Sequence, residues 1–259
     1  MSGLLTFPAA RAALPDQVVT AGRYEVRFAR TPEELDRLLR LRYEVFNLEL
    51  REGLATSAAT GRDEDEFDRK FHHLLIEERE TGAVVGSYRM QTPEMAAAGG
   101  YYAAGLFDVA ALPPAVAAQS VEIGRACVAK PHRNGRVLQA LWRGLAAYLR
   151  WNGKTRLFGC CSLTSQDEAV GAALHRYLER EGLVHQEVRV MPHPASTCHA
   201  AGTGVAGAST VPALFRAYLD IGAKVLGPPA IDREFRTIDW LVMLDVTELP
   251  FLTYRSLFR

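Results

Sequence analysis

One stretch constrains this fold more than any other. It is the apolar run Ser120-Val-Glu-Ile-Gly-Arg-Ala-Cys-Val128, followed at once by Lys130-Pro-His-Arg-Asn-Gly-Arg136 and a long series of apolar residues at helical spacing. The order is strand, basic glycine-bearing loop, helix. Such a unit commits the chain to an α/β architecture. It also points free backbone N–H groups and the positive end of a helix at a place where an anion can sit. Two ionisable residues, Glu122 and Arg125, lie on the strand that feeds this place. An unpaired charge in an apolar strand costs several kcal/mol. Transfer of a group from a phosphate-bearing carrier would give the pair a purpose.

In strict alternation Glu122 and Arg125 point to opposite faces of the strand. A bulge near Gly124 would bring both to one side, and bulges cluster at active sites. We therefore expect a bulge there; the structural alternative is an ion pair at a sheet edge. In the loop, Arg133 and Arg136 suit a phosphate, Gly135 permits close backbone approach, and His132 is the candidate histidine. The helix end adds about 1 kcal/mol for an anion. An ordinary basic turn before a helix is the alternative here.

The rest of the chain alternates between strand and helix patterns. Residues 1–22 read as a leader and 23–29 as a first strand. Thr31-Pro-Glu-Glu34 is a capping-box pattern with proline at the first helical position. Leu35, Leu38, Leu39, Leu41, Val45 and Phe46 continue that helix to about Leu50. Residues 73–78 and 83–91 form a hairpin through Glu80-Thr-Gly82. Residues 92–119 are an excursion rich in Ala, Gly and Pro, with a short helix. After the 120–129 strand, Val137, Leu138, Leu141, Trp142, Leu145, Tyr148 and Leu149 mark an amphipathic helix ended by Asn152-Gly153. Strands are expected at 157–162, 188–191, 225–228 and 238–246. A helix follows Ser165-Gln-Asp-Glu168, another covers 212–221, and 194–210 is a low-complexity loop. The fold class is α/β: a mixed, largely antiparallel sheet flanked by helices, in a single domain over residues 23–259.

Two further sites carry charge. In Asp63-Glu-Asp-Glu-Phe-Asp68 the central Phe67 argues that part of the run is tucked inward. Asp65 and Asp68, three apart, would share a helical face. They suit either a cationic substrate group or salt bridges to arginines such as Arg42 or Arg89. Arg89 alternates with Ser87 and Gln91, and an inward Arg there favours a carboxylate.

Composition excludes several classes. Thirty basic residues balance thirty acidic ones, so nothing global favours nucleic acid and anion binding must be local. The four cysteines include no C-x-x-C pair, and the adjacent Cys160 and Cys161 could bridge only with strain. That argues for a reducing cytosol and against a disulfide scaffold or a zinc site. The seven histidines show no metal spacing, so no metal is expected. The early apolar run is too short for a signal peptide, and no stretch reaches bilayer-spanning length. A cytoplasmic protein, at most peripheral to the inner membrane through 1–22 or 194–210, is the expectation. Nucleophile-elbow, zincin, Walker and dinucleotide fingerprints are missing.

Several motifs together resemble a known family. Leu41-Arg-Tyr-Glu-Val-Phe46, Asp65-Glu-Phe-Asp68, His73-Leu-Leu, Glu122-Ile-Gly-Arg125, Leu141-Trp-Arg143, Phe158-Gly-Cys160 and Gly222-Ala-Lys-Val-Leu-Gly-Pro-Pro-Ala-Ile-Asp-Arg-Glu-Phe235 are similar to those of the bacterial ornithine-lipid N-acyltransferases. That family is in turn similar to GNAT acyltransferases and acyl-homoserine-lactone synthases, whose pattern falls here on Arg42, Phe46, Asp65, Asp68, Arg89, Glu122 and Arg125. The resemblance implies a GNAT-like fold and no bound cofactor. It implies a 3-hydroxy fatty acyl donor carried as a phosphopantetheine thioester on acyl carrier protein. The acceptor would be a free amino acid, ornithine first and glutamine or glycine as alternatives, acylated on its α-amine. Glu122 would be the base and Arg125 its catalytic companion. Arg42, Asp65, Asp68 and Arg89 would bind substrate, and His132, Arg133, Gly135 and Arg136 the carrier's phosphopantetheine. Residues 41–50 and 92–119 would line the acyl tunnel. The single, shifted glycine in Arg133-Asn-Gly-Arg-Val137 suits a coenzyme A pyrophosphate less well than a pantetheine arm. The rivals are an acyl-homoserine-lactone synthase, an acetyl-CoA acetyltransferase and a non-catalytic acyl-carrier or lipid-binding protein.

Overall fold

The computed structural model describes residues 7–199 and 206–258. The chain divides into two compact units. The first runs through Gly99 and resumes over Val121–Lys154 and from Phe251; the second comprises Gly100–Ser120 and Thr155–Pro250.

The first unit opens with β1 (Val19–Ala21) and β2 (Tyr24–Phe28), joined by a tight turn in which Gly22 adopts φ +63°. Helix α1 (Pro32–Arg42) starts as its sequence requires. Thr31 accepts the Glu34 N–H, Glu34 accepts the Thr31 N–H, and Pro32 stands at the first helical position. Its stripe buries Leu35, Leu38, Leu39 and Leu41. The helical path continues past Arg42, but as a π-helix over Tyr43–Glu49. Apolar spacing alone does not separate these two helix types, whereas π turns often mark functional sites. Then come α2 (Ser57–Thr60), the hairpin of β3 (His72–Glu78) and β4 (Val84–Gln91), and α3 (Pro93–Gly99). After α4 (Pro114–Ala117) in the second unit, β5 (Ser120–Val128) re-enters the first and leads into α5 (Gly135–Trp151).

Strands β1 to β5 pair antiparallel in chain order. Helix α5 packs on this sheet through Gly144, where a Cβ would lie 2.8 Å from Leu74. Any side chain there would lift the helix off the strands.

The second unit continues with β6 (Arg156–Leu163), α6 (Glu168–Arg180), α7 (Ala213–Asp220), β7 (Lys224–Val225), β8 (Ala230–Asp232) and β9 (Thr237–Asp245). The long β9 pairs antiparallel with β6, β7 and β8. The excursion before β5 belongs to this unit's core: Phe107, Val109 and Leu112 pack with Phe158, Val190, Leu241 and Met243. The chain ends in α8 (Phe251–Phe258), which belongs to the first unit.

The α/β class with its largely antiparallel sheet is as expected, and three local expectations are corrected. Residues 7–22 are not set apart from the fold: Leu14 and Val19 are buried and β1 extends the sheet, while residues 1–6 lie outside the described chain. The strand expected at 188–191 does not form; Val190 donates to Leu226 O as isolated extended chain, and Pro192 supplies no N–H to prolong a ladder. The strand expected at 225–228 stops at Val225, because Pro228 and Pro229 cannot donate either. Helix α6 starts after the Ser165–Glu168 segment as expected, with Asp167 as its cap accepting the Ala169 N–H.

Candidate active site

The β4–β5 ladder changes register where the sequence places Arg125. Ser87 faces Cys127 and Arg89 faces Gly124, so Tyr88 alone opposes both Arg125 and Ala126. Arg125 takes the left-handed conformation, φ +48°. This is the expected bulge, one residue beyond Gly124. Directly opposed residues share a face, so Glu122 lies beside Gln91 and on the same face as Arg89. Gln91 Nε2 donates to Glu122 Oε2 at 2.7 Å, and Glu122 is only 2% exposed. The extra residue returns the Arg125 guanidinium to the Arg89 side, where both arginines reach Asp65.

Around them lies a compact charge network. Arg42, fully buried, donates to Asp63 through Nε and Nη2 at 2.9 and 2.5 Å and to Asp68 through Nη1 at 2.5 Å. Arg89 Nη1 donates to Asp65 at 2.6 Å and Asp68 at 3.0 Å. Arg125 lies 3.3 Å from Asp63 and 3.4 Å from Asp65. Three guanidinium groups thus meet three carboxylates, and the charge sums to zero. Phe71 lies under Arg89, its ring centroid 4.9 Å from the guanidinium carbon. Burial opposes the Asp68 charge, but Arg42 and Arg89 outweigh it and hold this carboxyl well below the usual range. Burial dominates at His73, which is lowered to about 4 and stays neutral at pH 7. Its Nε2 bonds to Asp68 O at 2.8 Å.

Two expectations change here. Residues 63–68 form a turn rather than a helix: Asp65 Oδ1 accepts the Phe67 N–H, and Asp68 Oδ2 accepts the Asp65 N–H. Short Asp side chains compete for nearby backbone donors in this way. Arg42, Asp68 and Arg89, expected among substrate-binding residues, are at most 1% exposed and have no surface left to offer. Asp63, not singled out from the sequence, is the carboxylate that joins Arg42 to Arg125. Its signal was the spacing of three aspartates around the inward Phe67. Asp65 keeps a 14% exposed side chain and Arg125 9%. A polar cavity of about 390 Å³ adjoins Asp65, lined also by Thr56, Ser57, Thr60, Glu64 and Arg69.

The loop before α5 differs from its expected picture. Arg133 is held in a bidentate pair by Glu49, at 2.6 and 2.8 Å, and its Nε donates to Val128 O. Asn134 caps α5, its Oδ1 accepting the N–H groups of Arg136 and Val137 that were expected to face an anion. His132 shares a 3.0 Å hydrogen bond with the Tyr24 hydroxyl. A Cβ at Gly135 would meet no protein atom within 4 Å, and the backbone there is open to solvent. Arg136 is exposed and has no salt bridge among the described residues.

The π-helix fastens the bulged strand along its length. Phe46 lies 5.8 Å from the Arg125 guanidinium, Val45 packs with Cys127, and Glu49 grips Arg133. Burial pushes the Cys127 thiol up to about 12, so it packs as a small apolar side chain.

Bulges and π turns both cluster at functional sites, and comparison with known proteins indicates the kind of protein this is. The acetyltransferase (GNAT) domain model matches residues 41–143. The chain is 32% identical over 248 residues to an L-ornithine N(alpha)-acyltransferase of Agrobacterium fabrum, covering 88% of this chain and 83% of that one. It is 31% identical to the enzyme of that name from Brucella abortus, over 96% of this chain and 94% of the other. Among solved structures, the AHL synthase LasI superposes with a TM-score of 0.50 at 16% identity, covering 91% of this chain and 94% of that one, a likeness of fold. On these likenesses the chain belongs to the L-ornithine N(alpha)-acyltransferase family, with a GNAT domain over residues 41–143.

Proposed function

We propose that this acyltransferase moves a 3-hydroxy fatty acyl group from an acyl-carrier-protein thioester to the α-amine of ornithine, giving a lyso-ornithine lipid. The acceptor is suggested by the names of its relatives. The donor is suggested by the loop before α5, whose exposed Arg136 offers a cation to a phosphopantetheine phosphate. The observation that carries the chemistry is Glu122: a carboxylate almost out of solvent, held by Gln91, three residues before a bulge.

An incoming amine is mostly protonated at pH 7 and must lose a proton to attack. Glu122 takes it, directly or through one water. The neutral amine attacks the thioester carbonyl, and the tetrahedral oxyanion needs donors already in place. Backbone N–H groups of the strand past the bulge, over residues 124–129, are the donors assigned to this role. Collapse of the intermediate breaks the C–S bond; the second proton of the attacking nitrogen passes to the departing pantetheine sulfur, which leaves as the thiol, and Glu122 returns its proton to solvent. Asp65 and Arg125, the network members with surface to offer, meet the acceptor's side-chain ammonium and carboxylate. Asp63, Asp68, Arg42 and Arg89 hold those two in position.

The test is incubation with acyl-carrier-protein and coenzyme A thioesters against a panel of amino acids, read by mass spectrometry. N-acyl ornithine from the carrier-protein donor is the expected product. A preference for coenzyme A, or for glutamine or glycine, would reassign donor or acceptor. Glu122→Gln should lower turnover about a hundredfold or more; unchanged turnover would remove Glu122 from the role of base.

A further inference from the structure

The exposed large apolar side chains are not scattered. Eight are exposed among the described residues, and five of them, Val18, Trp151, Phe251, Leu252 and Tyr254, sit on three segments of the first unit. Hydrogen bonds tie these segments together. Arg150, at the end of α5, donates to Phe258 O on α8 and to Gln17 Oε1 near the N-terminus. Trp151 Nε1 donates to Ala12 O, and Asn152 to Ala13 O. Residues 11–18, 150–152 and α8 therefore form one face.

Its chemistry is specific. Phe251 and Leu252 stand at the start of α8, 67% and 75% exposed. Trp151 and Tyr254 bring aromatic rings with polar handles, the residue types that favour a membrane–water boundary. Arg11, Arg150 and Arg255 share the same segments. Arg150 spends its hydrogen bonds on two neutral oxygens, so its charge is not neutralised; Arg11 and Arg255 have no salt bridge among the described residues. The only acid on the three segments, Asp16, is paired with Arg30. Protruding apolar side chains amid uncompensated arginines complement an anionic lipid headgroup layer, into which a short helix can sink without spanning it. No helix among the described residues is long and apolar enough to cross a membrane.

We propose that this face, formed by residues 11–18, the end of α5 and helix α8, docks the protein on an anionic bilayer. It shares no residue with the Glu122 site, so the proposal stands or falls apart from the chemistry assigned there.

The experiment is co-sedimentation with vesicles of mixed phosphatidylglycerol and phosphatidylcholine, and of phosphatidylcholine alone, with tryptophan emission recorded in parallel. Partitioning should be about tenfold or more stronger on the anionic vesicles and should weaken with salt. The emission should shift to the blue, and Trp151→Phe should abolish that shift. Phe251→Ser with Leu252→Ser should lower partitioning about tenfold or more while turnover on soluble substrates is kept. Arg11→Gln with Arg255→Gln, exposed positions that test the same face without touching its packing, should erase the preference for anionic lipid. Equal binding to both vesicles, binding to neither, or a blue shift that survives Trp151→Phe would overturn the proposal. So would a self-associated protein that the Phe251/Leu252 variant converts to monomer with vesicle partitioning unaltered, since the face would then belong to a second copy.

Discussion

Two basic regions of the first unit invite comparison: the arginines around β4 and β5, and those of the loop before α5. In the first, Arg42, Arg89 and Arg125 are matched one for one by Asp63, Asp65 and Asp68, and most of these groups are closed to water. In the second, Arg133 is shared with the single Glu49 at half-exposed positions, and Arg136 faces solvent. Similar residues therefore do different work. A neutral, dry network fixes geometry, because removing one member strands its partners in the interior. A solvated, partly matched loop can exchange its partner for a ligand at little cost.

The sharpest way to break this contrast is Arg42→Ala. It leaves Asp63 and Asp68 buried without their main partner, and a loss of about 3–5 kcal/mol is expected. Urea denaturation measures it; a loss below about 1 kcal/mol would mean that the network is more hydrated than its burial indicates.

Acid should act on a comparable scale, through His73 and Asp68 of the network and through the neighbouring buried His72, whose ring nitrogens bond the Tyr148 hydroxyl and Ala9 O. Burial lowers His72 and His73 to about 4 in the folded chain, against an ordinary value near 6.5. Between those values the unfolded chain holds protons that the folded chain does not. Their stability contribution is therefore complete above about pH 6.5 and is lost as pH falls toward 4, on the order of 3 kcal/mol for each group. Asp68, depressed by Arg42 and Arg89 against its burial, adds a further loss that begins near its ordinary value of about 3.9 and continues below it. The urea midpoint should fall between pH 7 and pH 4.5, and less steeply in His72→Gln with His73→Gln. A flat profile would show that neither imidazole is held neutral by folding.

The loop side should respond least in stability. Arg133→Ala with Arg136→Ala should change the unfolding free energy by less than about 1 kcal/mol. It should raise KM for the proposed carrier-protein donor severalfold while leaving kcat near its parent value. A fall in kcat with KM unchanged would place these arginines with the network rather than with docking.

The sequence was most legible where local chemistry decides the structure. Thr31-Pro-Glu-Glu34 starts α1 and Asn152 ends α5, each from short-range sterics or hydrogen bonding. The Asp63–Asp68 turn was not legible, because a three-residue spacing fits a helix and an Asp-rich turn equally; contact with Arg42, some twenty residues away in sequence, decides the outcome. Strand β1 was hidden for a related reason: three residues carry no period, and only pairing with β2 makes them a strand. The same limit applies at Arg133. A basic loop before a helix announces an anion, but nothing local tells that Glu49, far upstream, is the anion.

The left-handed residue of the bulge carries a lesson for anyone redesigning this enzyme. A glycine at position 125 would accept φ +48° freely, whereas arginine accepts it at a penalty of about 1–2 kcal/mol. The strained backbone persists because the long side chain is moored by Asp63, Asp65 and the ring of Phe46. Grafting the Glu122–Arg125 strand onto a foreign scaffold would therefore transfer the letters without the shape, unless the aspartate turn and the π-helical segment travel with it.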